Sequence, residues 1–322
     1  MITADVERVA LGTWPTPLEP APRLAAALGL RPDDLWIKRD DLGGLGGGGS
    51  KVRKLEHTLG RAVHRGARAV VTSGAAQSNH ARLTAAAAAR LGLVAVLVLE
   101  GDPPAEARGN ALLDALLGAR LVWAGPVDAA ALAERVEHEA EVLRAAGTAT
   151  EVVPFGGSSV VGARGYAEAG AELLRQSPDL DAVVVAVGSG GTMAGLVHAL
   201  GADRVLGVDT GAVPDPLERV GALAGGLARE AGVPAPGPLR LRRDQVGAGY
   251  ATLTPQAREA MVLLARTEGV VLDPVYTARA AAGLLAAVAG GDVTPGRRTV
   301  LLHSGGLPGL FGHPSAATLA DG

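Results

Sequence analysis

The sequence predicts an α/β protein built on mostly parallel, twisted sheets flanked by helices. Three observations carry this reading. Short apolar, β-branched runs alternate with longer Ala- and Leu-rich stretches of helical period. The apolar runs suit strands covered on both faces, as crossover helices leave them. Three glycine-containing turns, Ser73–Asn79, Gly188–Thr192 and His303–Gly309, fall where strands give way to helices, the position at which such sheets bind ligands.

In chain order, strands are predicted at Leu35–Lys38, Ala67–Thr72, Val94–Leu99, Arg120–Trp123, Thr150–Val153, Ala182–Val187, Val205–Val208 and Thr299–His303. Helices are predicted at Lys54–Arg65, Ser78–Leu91, Ala105–Leu117, Val127–Ala146, Val161–Gln176, Thr192–Leu200, Pro255–Glu268 and Thr277–Ala289. The glycine run Gly43–Ser50 reads as a flexible loop entering the first of these helices. Pro214–Pro216 and Val233–Pro238 read as surface loops. No internal repeat is present.

Composition narrows the function. The 322 residues suffice for one large or two medium domains. A net charge of -3 provides no basic footprint for nucleic acid. Zero cysteines exclude disulfides, thiolate metal sites and a cysteine nucleophile. The first twenty residues lack an apolar signal core, and alanine runs such as Ala85–Ala89 are too short to cross a bilayer. No membrane partner and a cytoplasmic location are therefore expected.

Only three lysines occur, Lys38, Lys51 and Lys54; arginine carries the remaining basic charge. Guanidinium does not lose its proton in proteins, so arginine cannot replace lysine where a neutral amine is the nucleophile. Lys51 follows four glycines and a serine and is the candidate for Schiff-base chemistry with a carbonyl cofactor. Lys38 has no such context and reads as a surface residue.

Gly188-Ser-Gly-Gly-Thr192 has the makings of an anion cradle. Its glycines let amides converge, Ser189 and Thr192 add hydroxyls, and a helix begins there. It is neither a Walker loop nor a dinucleotide fingerprint. Around Ser78 and Asn79 the helix start could hold a carboxylate, or either residue could simply cap the helix. His80 reads as a packed or solvated histidine, with proton transfer the alternative. Tyr276 stands at the opening of a helix, one of three tyrosines in the chain, and is expected to face a cleft. Together a lysine on a glycine loop, a phosphate cradle and a carboxylate-binding turn are what a pyridoxal phosphate site needs.

Several segments then match a family in order and nearly end to end. They include Lys38-Arg-Asp-Asp-Leu42, Gly48-Gly-Ser-Lys-Val-Arg-Lys-Leu-Glu56, Gln77-Ser-Asn-His80, Gly156-Gly-Ser158, Gly188–Thr192, Val246-Gly-Ala-Gly-Tyr250, Leu272-Asp-Pro-Val-Tyr-Thr277 and His303–Gly309. The chain resembles the D-cysteine desulfhydrase and 1-aminocyclopropane-1-carboxylate (ACC) deaminase family of fold type II enzymes dependent on pyridoxal 5′-phosphate. The resemblance implies a homodimer acting on a small amino acid. It implies a large domain of residues 1–54 and 166–322, a small domain of residues 55–165, and the cofactor between them.

It also implies roles. Lys51 is the Schiff-base lysine, and Lys54 reaches toward the phosphate held by Gly188, Ser189, Gly190, Gly191 and Thr192. Ser78 stands beside the cofactor as a proton carrier, and Asn79 contacts the ring hydroxyl. Tyr250 and Tyr276 line the substrate side; His80, Gly157 and Ser158 join Ser78 and Asn79 in substrate binding. Thr277 lies near the ring nitrogen and marks the desulfhydrase branch, with Ser304 the neutral partner of that nitrogen. The chain departs from the family pattern at Ser50, Ala75, Leu83 and Ser159. The implied reaction is α,β-elimination from D-cysteine. L-Cysteate, with Ser159 as an added donor, and ACC are the alternative substrates; a non-catalytic phosphate-ligand-binding protein is the alternative of another class.

Overall fold

The structure is a computed structural model and describes residues 8–320. Its strands are β1 (Leu18–Pro20), β2 (Leu35–Arg39), β3 (Ala69–Ala75), β4 (Val94–Glu100), β5 (Arg120–Trp123), β6 (Thr150–Val152), β7 (Leu180–Val187), β8 (Val205–Asp209), β9 (Arg240–Arg242) and β10 (Arg298–His303). Its α-helices are α1 (Pro22–Ala27), α2 (Lys51–His64), α3 (Asn79–Leu91), α4 (Gly109–Leu116), α5 (Ala129–Ala145), α6 (Val160–Gln176), α7 (Gly191–Leu200), α8 (Pro216–Ala231), α9 (Pro255–Glu268), α10 (Thr277–Ala289) and α11 (Leu307–Gly312). Among the described residues, no helix is long and apolar enough to cross a membrane.

Two sheets result. The larger runs β1-β2-β10-β7-β8-β9 and is parallel except for the β1–β2 pair; the smaller runs β5-β4-β3-β6 and is parallel throughout. This is the fold class read from the sequence. The apolar runs have a direct cause. Val183, Val185 and Val187 of β7 pack with α6, α7 and α8, whereas Val184 and Ala186 pack with α9 and α10. In β4, Leu97 and Leu99 pack toward α2 and α3 while Val96 and Val98 pack toward α5. Both faces are covered, so polar alternation is lost.

Three-residue edge strands β1 and β9 escaped the sequence reading because Leu-Glu-Pro and Arg-Leu-Arg carry no β-branched run. Helix α8 escaped it because Pro216 and three interior glycines read as loop. Pro216 in fact opens the helix, a position where its missing N–H costs nothing. Gly226 lets α8 approach α6 so closely that a Cβ there would collide with Val160.

Two expectations are corrected. Gly43–Ser50 is not a loose loop: the Gly48 amide bonds Leu45, the Gly49 amide bonds Asp40 and the Ser50 amide bonds the Ser304 carbonyl at 2.9 Å. Lys38 is not a surface residue. Strand β2 is interior, and its Lys38 is fully buried against α6, paired with Glu172 and donating to Thr16 O at 2.8 Å and Gln176 Oε1 at 2.6 Å. Burial pushes this amine's pKa down and Glu172 pushes it back up. Nearby, Arg53 pairs with the buried Asp40 and with Glu172.

We propose the division at 55–165 as the domain boundary. All four strands of the smaller sheet fall within it, and α2 begins just ahead of it, packed on α6 and α3.

Candidate active site

One cleft gathers residues from both sheets. Lys51, Lys54, Ser78, Asn79, His80, Gly188, Ser189, Gly190, Thr192, Tyr250, Tyr276 and Ser304 line it, all named from the sequence. Ser50 and Ala75, two departures from the family pattern, line it too.

Lys51 opens α2, delivered there by the closed glycine turn. Its Nζ donates to Ser50 Oγ at 3.0 Å and lies 5.8 Å from the Tyr276 ring centroid. Burial lowers its pKa from 10.5 to about 8; Asp273 opposes the shift and Arg82 adds to it. An amine that loses its proton there can act as a nucleophile or base near neutral pH.

The Gly188–Thr192 turn joins β7 to α7. Gly190 takes the left-handed conformation (φ 91°) at the N-cap, and no side chain caps the helix. Ser158 Oγ accepts from Lys54 Nζ at 3.1 Å and from the Gly191 amide at 3.1 Å, so its own proton goes to Ser189 Oγ at 2.7 Å. Ser189 is left with a hydroxyl proton to offer the cleft. Burial, with Lys51 next, pushes the Lys54 pKa well down. An anion held here would restore that charge. An uncapped helix start, two hydroxyls and a buried amine therefore fit a phosphate group.

Ser158, Gly157 and Gly191 stand behind the lining. Ser158 and Gly157, expected to bind substrate, instead support the cradle. The fully engaged Ser158 hydroxyl has nothing left for substrate, and Gly157 takes φ 64° beneath His80. Ser159 is likewise spent: its hydroxyl caps α6 by accepting the Gly162 amide at 3.0 Å.

On the opposite wall, Ser78 is the N-cap of α3 and accepts the Ala81 amide at 3.1 Å. Its hydroxyl proton and remaining lone pair stay available. Asn79 Oδ1 accepts from Asn110 Nδ2 at 3.0 Å and Arg82 Nη1 at 3.3 Å, which turns its NH2 group toward the cleft as a donor. Thr72 Oγ1 donates to Val153 O at 2.8 Å, so His80 Nε2 must carry the proton of the 2.8 Å Thr72–His80 bond. Burial, Lys51 and Lys54 drop the His80 pKa to about 3, so it stays neutral and is packed rather than a proton carrier.

Tyr250 and Tyr276 face each other, oxygen to oxygen at 2.5 Å, rings at 64°. Burial raises both phenols' pKa values, Tyr276 strongly. Thr277 departs from expectation and does not line the cleft. Its hydroxyl donates to Asp273 Oδ1 at 2.7 Å and accepts the Asp273 amide at 2.8 Å. Asp273 also accepts the Val275, Tyr276 and Thr277 amides, which places it as the anchor of α10. Ser304 does line the cleft, as expected. Sequence reading missed Phe155, Ala186 and Ala212; each lies at or just beyond the carboxyl end of a strand, the position that could have flagged them.

Comparison with known proteins agrees with this geometry. Residues 9–305 match the family model described as pyridoxal-phosphate dependent enzyme. A Pyrococcus furiosus protein named "Putative 1-aminocyclopropane-1-carboxylate deaminase" is 38% identical over 94% of this chain and 93% of its own. A Pyrococcus horikoshii protein of the same name is 38% identical over 96% and 95%. The crystal structure of an ACC deaminase homologue superposes with a TM-score of 0.90 at 36% identity, covering 98% of this chain and 95% of that one. The processed form of tomato (Solanum lycopersicum) threonine deaminase isoform 2 shares the fold, with a TM-score of 0.64 at 21% identity over 95% of this chain and 83% of that one. The chain thus belongs to the pyridoxal-phosphate dependent enzymes, in the branch of ACC deaminase and D-cysteine desulfhydrase type.

Proposed function

We propose that this enzyme catalyses α,β-elimination on a small amino acid carrying a β leaving group, D-cysteine foremost, giving pyruvate, hydrogen sulfide and ammonia. The observation that carries the reading is the cleft lining: among the described residues it contains no Asp or Glu. The bound cofactor supplies an electron sink for the substrate α-carbon. A carboxylate against its ring would deepen that sink. A neutral hydroxyl, Ser304, supports a shallower one, better suited to expelling a β substituent than to opening a cyclopropane.

The side chains divide the work. The start of α3 at Ser78 and Asn79 binds the substrate carboxylate through first-turn amides. Lys51 Nζ, titrating near 8, takes the α-proton. One proton lies between the Tyr250 and Tyr276 oxygens; the other phenol proton is available to the departing sulfur. Gly188–Thr192, Ser189 and Lys54 hold the phosphate, and the Asn79 amide donates to the ring hydroxyl. A homodimer and a cytoplasmic location belong to the same proposal and rest on the family resemblance.

ACC deamination is the second reading, favoured by the names of relatives 38% identical to this chain. L-Cysteate loses support because Ser159 is committed to capping α6. The test is product release from D-cysteine, L-cysteine, L-cysteate, D-serine and ACC. Pyruvate with sulfide from D-cysteine at the highest kcat/KM is the expected result. 2-Oxobutanoate from ACC as the dominant product overturns it.

A further inference from the structure

Lys51 touches a neighbour whose hydroxyl leads away from the cleft. Its Nζ donates to Ser50 Oγ at 3.0 Å, and Ser50 is 1% exposed. Ser50 faces the Tyr166 phenol, to which its hydroxyl donates. Tyr166 is fully buried, and its Oη donates to Asp40 Oδ2 at 2.5 Å. Asp40, also fully buried, is held by Arg53 Nε at 2.9 Å, by Arg53 Nη2 at 3.0 Å and by Thr16 Oγ1 at 2.7 Å. Every donor in this series points from the amine toward one carboxylate.

We propose that Ser50, Tyr166 and Asp40 form a hydrogen-bonded relay that orients the Lys51 amine and holds the proton it takes up. Ser50 and Tyr166 are positioning residues here: Ser50 touches the amine, and Tyr166 acts only through Ser50. Hydrogen bonds polarise one another along such a chain. A hydroxyl whose proton is drawn toward a carboxylate is a stronger acceptor at its oxygen. Ser50 Oγ therefore favours the protonated amine over the neutral one. No proton leaves Lys51 along the chain; the ionised Asp40 acts by its charge, which the paired Arg53 keeps in place.

Other groups also face this amine. Asp273 stabilises its charge and Arg82 opposes it, while Lys54 and His80 share the same enclosure, and the Tyr276 ring lies 5.8 Å from Nζ. None of them touches Ser50's side of the nitrogen through a printed bond, so the relay is separable by substitution. Arg53 lies 6.0 Å from the Tyr166 ring centroid and remains paired with Asp40 when the phenol oxygen is removed.

The inference rests on Lys51 being the amine that takes up the cofactor, but not on which amino acid is the substrate. Its test is accordingly the rate of pyridoxal phosphate uptake by the full-length apoprotein as a function of pH, followed by visible absorbance. Only the neutral amine reacts, so the rate reports its titration. In the parent chain the midpoint is expected near the Lys51 value of about 8. Ser50→Ala is expected to move it down by about one pH unit, the size of one hydrogen bond to a charged group. Tyr166→Phe is expected to move it in the same direction by less. An unmoved midpoint in either folded variant overturns the relay. Should Tyr166→Phe fail to fold, Ser50→Ala decides alone, because its hydroxyl is the relay's contact with the amine. Product assays across the amino-acid panel fail or succeed independently of this profile.

Discussion

Tyr250 Oη and Tyr276 Oη stand 2.5 Å apart, joining a residue ahead of α9 to the residue that opens α10. Two buried phenols at that distance share a single proton and leave the second unused. Burial keeps both protonated well above their ordinary range. Removing either oxygen breaks the pair but leaves the cradle alone. Tyr276→Phe and Tyr250→Phe should each lower kcat on the best substrate by about 10²-fold, the scale of a lost general acid. Cofactor affinity should stay within about twofold. A variant that loses affinity and turnover together would mean the pair holds the cofactor instead of serving the leaving group.

Lys38 makes a prediction about stability. Its amine is fully buried between Glu172, Thr16 and Gln176. Lys38→Met leaves Glu172 with Arg53 as its one charged partner inside the protein. Breaking a buried pair from one side costs about 3 kcal/mol. The urea midpoint of holoenzyme should fall accordingly, while kcat per bound cofactor changes less than about threefold. An unchanged urea midpoint would contradict the burial. Lys38→Arg is not a conservative alternative here, because the enclosed space is filled around an ammonium.

The fold was legible because its cause is local. Strands covered on both faces become apolar runs, as Ala182–Val187 shows, and those runs sit in the sequence itself. The phosphate cradle was legible for the same reason: Gly188–Thr192 is continuous in the chain. What failed depends on contacts between distant segments. Lys38 looked expendable because Glu172 lies 134 positions away. Ser158 and Ser159 looked like donors to substrate, but their hydroxyls are consumed by Lys54, Ser189, the Gly191 amide and the α6 amides. Thr277 was placed near the cofactor ring by motif. Its hydroxyl instead closes on Asp273 four residues earlier. The argument from a neutral ring partner therefore moves from Thr277 to Ser304 and to the absence of carboxylates in the lining.

The cradle is tested by adding one methyl group. A Cβ at Gly191 would lie 2.6 Å from Ser158 Oγ and 3.2 Å from Lys54 Nζ, so both must move. Gly191→Ala should weaken cofactor binding at least about tenfold. Gly221→Ala provides the contrast. That glycine lies in α8, where a Cβ would meet only Leu239 Cδ1 at 3.9 Å. It should leave affinity unchanged and raise stability by about 0.5–1 kcal/mol. Equal affinities for the two variants would place the phosphate elsewhere.

Lys51 ties folding to pH. Its amine titrates near 8 in the folded apoprotein and near its ordinary 10.5 when unfolded. Between those values the unfolded chain holds a proton that the folded chain has released. Stability must then rise with pH across that window. Below about pH 8 both states are protonated, and burying the charge costs the folded state its full penalty; above 10.5 both are neutral and the penalty is gone. The span is at most about 3 kcal/mol. Other buried groups titrate too, and Lys54 lies well below its ordinary value, so the measurement is a difference. Apoprotein and Lys51→Met apoprotein are unfolded in urea at intervals from pH 7 to 10, and the contribution of Lys54 largely cancels between them. The parent chain should gain on the variant as pH rises through 8 to 10. A gap that stays flat, or one that narrows toward acid pH, would mean the Lys51 amine is not desolvated, and its fitness as the neutral nucleophile would lose its physical basis.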